Sequence, residues 1–230
     1  MPFYFLLGNF IQQMDKTKLE QKYPSPVVIE AIRYFGLAVS KILWRIKYHD
    51  TENIPQNLTG GLLIAANHQT YFDPFWIAFQ IKRKFRFMAW DKAFDWFLIG
   101  GVIRYLGAFP VSIEGGGTRK AMVEALKALR GGGTLFIFPE GSRGFSDGKL
   151  LEFKTGTVRI AMEAGVPILP VTIRGANKVW SQNTKYPHFG KVEIFFHPLL
   201  EVTKPTEVSD QHQYIEEVTE KLKTVIESKL

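Results

Sequence analysis

Residues 62–75, Leu-Leu-Ile-Ala-Ala-Asn-His-Gln-Thr-Tyr-Phe-Asp-Pro-Phe, decide how the chain reads. Leu62 to Ala66 is a short apolar run behind a glycine pair, the pattern of a buried strand. Asp73-Pro74 reads as a helix start, with Asp as N-cap and a proline whose missing N–H had no helical partner there. Between strand and helix lies a polar loop holding Asn67, His68, Gln69 and Thr70. His68 thus falls where a strand of an α/β domain delivers its residues to a crevice. Five positions separate it from Asp73, enough for the loop to turn back and set the carboxylate against the imidazole. Such a carboxylate, favoured at a helix start, fixes the ring tautomer and leaves the other nitrogen to take a proton. That is the orienting half of a catalytic triad without its serine. The plainer reading is a cap and an ordinary loop histidine, and the pair alone does not choose between them.

Working outward, 230 residues allow one α/β domain with a sizeable core, or two small ones. Nineteen Phe and five Trp suit a large core or a membrane-facing surface. The absence of cysteine excludes disulfides, thiolate metal sites and a cysteine nucleophile, and is compatible with a reducing cytoplasm. A formal charge of +7 predicts an anionic partner, whether nucleic acid, acidic lipid or a phosphorylated substrate.

Residues 1–14 are rich in apolar and aromatic side chains but lack a basic leader and a small-residue cleavage site, so they read poorly as a signal peptide. A polar connector over 15–23 and Pro24-Ser25-Pro26 follow. Val27 to Tyr48 has a helical pattern with Glu30, Arg33, Lys41 and Arg45 returning to one stripe and most of the remaining circumference apolar. Four charges argue against a spanning helix. A wide apolar face beside a basic stripe predicts a helix lying in the membrane interface, the alternative being an amphipathic helix packed on the protein's own core. Residues 1–48 are therefore read as membrane-associating helices and 49–230 as the catalytic domain.

From residue 59 the pattern alternates strand and helix. Strands are expected at 85–90, 107–113, 134–138, 166–173 and 191–196, the fourth of these segments (166–173) short or irregular because it carries two prolines. Helices are expected at 75–81, 93–105, 119–130, 155–164 and 210–230, the last with Ile215, Val218, Leu222 and Ile226 on one face. The alternation predicts an α/β fold, a single mixed, mostly parallel sheet clad by helices.

A second constellation, Phe138-Pro139-Glu140-Gly141-Ser142-Arg143-Gly144, follows a buried strand. A guanidinium fork among glycines suits a phosphate or carboxylate. Glu140 either holds Arg143 or binds a hydroxyl of the substrate, and Lys154 is a second cation close by in the sequence. An exposed Glu140–Arg143 pair would contribute only about 0–1 kcal/mol.

These motifs, Asn67-His68 with Asp73, Phe138 to Arg143, and Val166-Pro167-Ile168-Leu169-Pro170-Val171, in this order and spacing, resemble the glycerophospholipid acyltransferase family. The resemblance covers about residues 50–200. It implies acyl transfer from acyl-CoA or acyl carrier protein to a hydroxyl of a lysophospholipid, 1-acyl-sn-glycerol-3-phosphate in the usual case. His68 would be the general base, Asp73 its orienting group, and Glu140, Gly141, Ser142, Arg143 and Lys154 would bind substrate. It implies no metal and no cofactor, a membrane surface of anionic lipid on the cytoplasmic face, and no nucleic acid. One position departs from the family pattern. Ile113, in Gly107-Ala108-Phe109-Pro110-Val111-Ser112-Ile113, stands where the family has an arginine for the acceptor phosphate. Either another cation (Arg143, Lys154, Arg104 or Arg119) binds the phosphate, or the acceptor differs. A thioesterase using His68 on water, a basic nucleic-acid-binding module and an inactive membrane scaffold are the rival readings.

Overall fold

Every residue of the 62–66 strand is buried, and its side chains divide by parity between two cores. The computed structural model describes residues 25–230 apart from 84, 96–98, 106, 112–117, 145–146, 182 and 208. The apolar stretch 1–14, the connector after it, Ile113 and the glycine triplet 115–117 lie outside the described residues. The elements are α1 (Pro26–Trp44), β1 (Lys47–His49), β2 (Leu62–Ala66), α2 (Asp73–Ala78), β3 (Phe85–Trp90), α3 (Ile99–Tyr105) and β4 (Ala108–Val111). They continue with α4 (Thr118–Arg130), β5 (Thr134–Ile137), α5 (Gly156–Ala164), β6 (Ile168–Arg174), β7 (Glu193–Phe196) and α6 (Gln211–Glu227).

The strands form one sheet in the order β1-β7-β6-β2-β5-β3-β4. Neighbours are parallel except β6 and β7, so the sheet is mixed and mostly parallel, as the alternating pattern predicts. Leu62, Ile64 and Ala66 face Trp76, Ile77 and Ala78 of α2 and Trp44 of α1. Leu63 and Ala65 face α4, α5 and α6, whose Leu129, Val158 and Leu222 are 0–1% exposed. A strand covered on both faces has no polar side, which is why β2 reads as an unbroken apolar run. The four α6 residues expected on one face are the ones buried there. From β2 the chain crosses to β3 on one side, and from β5 it returns to β6 on the other. The carboxyl ends of β2 and β5 therefore border a topological switch point, where open α/β sheets place their ligands.

Several expectations change. Asp73 does not cap α2, because no side-chain cap bond forms and the residue is itself helical. Its carboxylate turns back to the loop instead. The strand with two prolines is neither short nor irregular, since β6 runs seven residues between β7 and β2. Pro170 is tolerated because its missing N–H faces His197, one residue past the end of β7, and its carbonyl still accepts the His197 N–H at 3.0 Å. The helix expected to reach Tyr48 stops at Trp44, where Arg45 turns left-handed at φ 41°, and Lys47–His49 become an edge strand.

One member of that helix's charged stripe faces inward, while Lys41 and Arg45 stay exposed. Arg33 is buried, donating to the Ile81 carbonyl at 2.7 Å and pairing with Glu30, beside buried Ser40 and Trp44. The turn after α2 leaves that carbonyl pointing at α1, and a buried acceptor needs a donor. Arg33 thus faces the protein with Glu30 half-exposed beside it, while Val27, Val28, Ile32, Tyr34, Phe35 and Ile42 are exposed on the outer side.

Candidate active site

Strand register sets the site. Ala65 stands opposite Ile137 in the β2–β5 ladder, so the residues three further along each strand, His68 and Glu140, meet at the switch point. The His68 main-chain N–H donates to Glu140 Oε1 at 2.7 Å, and Leu151 N–H donates to Oε2 at 2.8 Å. Gly144 N–H returns to the His68 carbonyl at 2.6 Å. A Cβ at position 144 would stand 3.1 Å from Glu140 Oε2 and 3.3 Å from the His68 oxygen, so only glycine allows the approach without a shift. Two motifs separated by some 70 residues of sequence are thereby tied through one buried carboxylate.

The loop after β2 does turn back. His68 Nδ1 lies 2.9 Å from Asp73 Oδ2. That same oxygen accepts the main-chain N–H of Gln69 at 2.6 Å and of Thr70 at 2.8 Å, while Oδ1 accepts the Thr70 hydroxyl at 2.7 Å. Asp73 is fully buried. A carboxylate only accepts, so Nδ1 carries the ring hydrogen, and Nε2 is the nitrogen left to exchange a proton. The imidazole also stacks on Phe138, with centroids 4.0 Å apart and planes 15° apart. Held at one edge by Asp73 and on one face by Phe138, the ring has one orientation and keeps 18% of its side-chain exposure.

Glu140 has a structural partner set that the sequence did not suggest. Burial pushes its carboxyl above the usual range, opposed by the N–H groups of Leu151 and His68. Both oxygens accept from main chain, so the residue ties the loops together. Glu140→Gln would turn an amide NH2 against one of those N–H donors. We expect a loss of about 1–3 kcal/mol, read as a lower midpoint in thermal or denaturant unfolding.

The cations sit further out. Arg143 is half-buried with its guanidinium carbon 4.0 Å from the Tyr71 ring centroid. Tyr71 in turn packs edge-on against Trp180 at 5.3 Å. The Lys154 side chain lies across Gly141, where a Cβ would meet its Nζ at 2.6 Å. Gly141, at φ +73°, and Ser142 form an exposed turn. Arg104 lies over Phe94, and Arg119 is exposed at the start of α4. Among the described residues, no group of three or more His, Asp or Glu is arranged to hold a metal.

Some contributors carried no assigned role in the sequence. Asn67 bridges to β6, donating to the Ile173 carbonyl at 2.8 Å and accepting its N–H at 2.7 Å. Gln69 accepts from Asn177 N–H at 3.0 Å and donates to the Gly148 carbonyl at 3.3 Å. Thr70 clamps Asp73, and Phe138 supports the ring. Their signal is position alone, since each lies within a motif already marked out by His68 or Glu140.

A family model described as Acyltransferase matches residues 45–174, more than half of the chain. The chain belongs to the acyltransferase family. Its relatives include the 1-acyl-sn-glycerol-3-phosphate acyltransferases of Streptococcus pneumoniae, 37% identical over 61% of this chain and 52% of that protein, and of Borreliella burgdorferi, 28% identical over 76% and 70%. A chloroplastic 1-acyl-sn-glycerol-3-phosphate acyltransferase of Arabidopsis thaliana is 25% identical over 70% of this chain. The chain spans about half the length of the Arabidopsis and Streptococcus relatives, 45% and 52%. The crystal structure of the 1-acyl-sn-glycerophosphate acyltransferase PlsC from Thermotoga maritima matches with a TM-score of 0.69 at 26% identity, covering 96% of this chain and 88% of that one. The matched family segment of this acyltransferase runs from the end of α1 through β6. It includes His68, Asp73, Glu140, Arg143 and Lys154.

Proposed function

We propose that this acyltransferase moves a fatty acyl group from a thioester, acyl-CoA or acyl carrier protein, to the free hydroxyl of 1-acyl-sn-glycerol-3-phosphate. The observation that carries this reading is the His68–Asp73 pair, with Nδ1 held at 2.9 Å and set beside the loop of Arg143. His68 Nε2 takes the hydroxyl proton as the alcohol oxygen attacks the thioester carbonyl. The tetrahedral intermediate collapses with cleavage of the C–S bond, and the imidazolium returns the proton to the departing thiolate. One group serves as base and then as acid, and no acyl-enzyme is required. Binding both substrates together supplies a large further share of the rate. Asp73 holds the tautomer and stabilises the imidazolium that forms.

Arg143 and Lys154 flank the exposed Gly141-Ser142 turn and supply positive charge for the acceptor phosphate. The Arg143 guanidinium carbon lies 4.0 Å from the Tyr71 ring centroid, which supports the side chain beside this turn. The protein works at a membrane surface on the cytoplasmic side, with residues 1–48 as its membrane-associating part and the acyltransferase domain from 49 onward. The exposed apolar side of α1 supports this, and basic residues favour anionic lipid. No helix among the described residues is long and apolar enough to cross a membrane.

An acceptor panel tests the reading. Lysophosphatidic acid should be acylated in preference to lysophosphatidylcholine and monoacylglycerol. Arg143→Ala should lower kcat/KM for the phosphate-bearing acceptor about 10- to 100-fold, as expected for one charge-assisted contact. Equal rates on the neutral acceptor would reassign the lipid that the site takes.

A further inference from the structure

We propose that residues 185–189, Lys-Tyr-Pro-His-Phe, are a second lipid-contacting element that seats beside α1 and sets the depth of the active site at the membrane. This rests on the membrane reading of α1 and extends it to a part of the chain distant in sequence. Tyr186 is 66% and Phe189 79% exposed, among the most exposed large apolar side chains outside α1. Two exposed aromatics within four residues, rimmed by polar groups, fit a contact surface better than singly scattered side chains do.

The surroundings specify a bilayer. Residues 174–191 contain Arg174, Lys178, Lys185 and Lys191, and no Asp or Glu. Arg174 and Lys191 share Glu193 at the base, whereas the Lys185 ammonium lies 5.4 Å from the Tyr186 ring centroid at the tip. Aromatic rings with lysine alongside match the headgroup layer of an anionic membrane, where the ring enters the acyl boundary and the ammonium stays with the phosphates.

The element is tied to the C-terminal end of α1. The Trp44 indole N–H donates to the His188 carbonyl at 3.1 Å, and Gly190 N–H donates to the Leu43 carbonyl at 3.4 Å. His188 N–H is held by the Val179 carbonyl at 2.8 Å. From there a chain of rings leads inward. Trp180 packs on Phe72 at 5.2 Å and on Tyr71 at 5.3 Å, and Tyr71 carries Arg143. Lipid contact at 186 and 189 therefore places the Arg143 loop at the level of the acceptor headgroup.

Because the chain has no cysteine, a single labelling site can be introduced cleanly. The full chain carrying Phe189→Cys with an environment-sensitive fluorophore is mixed with vesicles of phosphatidylcholine, with and without phosphatidylglycerol. Lys204→Cys, exposed near the opposite end of β6, is the control. The label at 189 should shift to the blue and brighten on anionic vesicles, and the label at 204 should not. Tyr186→Ser with Phe189→Ser should lower vesicle partition about tenfold at an unchanged melting temperature. A label at 189 that stays in water while the protein pellets with vesicles, or a double variant that partitions as the parent does, would overturn the proposal. In that case loss of binding in Phe35→Ser with Ile42→Ser would still uphold α1 as the membrane contact. A parent chain that never pellets with either vesicle would overturn both.

Discussion

Replacing His68 with alanine should lower acyl transfer by about 10²–10⁴-fold, the usual worth of a positioned general base, and leave vesicle binding intact. Its ring makes no contact with α1 among the contacts described. It meets Asp73 and Phe138, at the switch point. Loss of the ring stack should cost about 0.5–1.5 kcal/mol, a shift of a few degrees in the melting temperature for a domain of this size. The two readouts therefore separate a chemical role from a structural one. Turnover near the parent rate would refute the assignment, whatever happened to stability.

Asp73→Asn is the sharper substitution. An amide oxygen in the place of Oδ2 can keep the three donors now on it, His68 Nδ1 and the main-chain N–H groups of Gln69 and Thr70. The amide nitrogen then faces the Thr70 hydroxyl, which can rotate to accept. The loop should keep its shape while the charge that stabilises the imidazolium is removed. We expect kcat to fall by about 10²–10⁴-fold, in line with the triad carboxylate it resembles, with KM and the unfolding midpoint close to the parent values. Alanine at 73 would differ, since it strands two buried N–H groups at about 1–3 kcal/mol each. If the asparagine variant lost stability and activity together, Asp73 would be a structural clamp on the loop and not the partner of a base.

Local features of the site were legible in the sequence. The apolar run before Asn67, the spacing of His68 and Asp73, and the glycine-rich loop with Arg143 all act over a few residues, where strand, turn and helix chemistry can be read directly. The sheet's mixed, mostly parallel character followed from the alternation of elements. What the sequence could not supply was non-local partnership. Glu140 became a tie between loops because β2 and β5 pair with Ala65 opposite Ile137, and nothing near residue 140 announces that register. Arg33 looked like one member of a charged stripe because its acceptor, the Ile81 carbonyl, lies 48 positions away. Pro170 looked disruptive because the end of β7, which excuses it, comes later in the chain. Asp73 looked like a cap because the helix was nearer in sequence than the loop N–H groups it serves.

The most direct measurement is one time course with a labelled acyl thioester, run with and without 1-acyl-sn-glycerol-3-phosphate, following label in lipid product and in free fatty acid. A histidine aimed at a bound alcohol predicts that label enters the diacyl product, that little is released without acceptor, and that His68→Ala stops both. Fatty acid released at the same rate whether or not the acceptor is present would contradict it and assign the histidine to water.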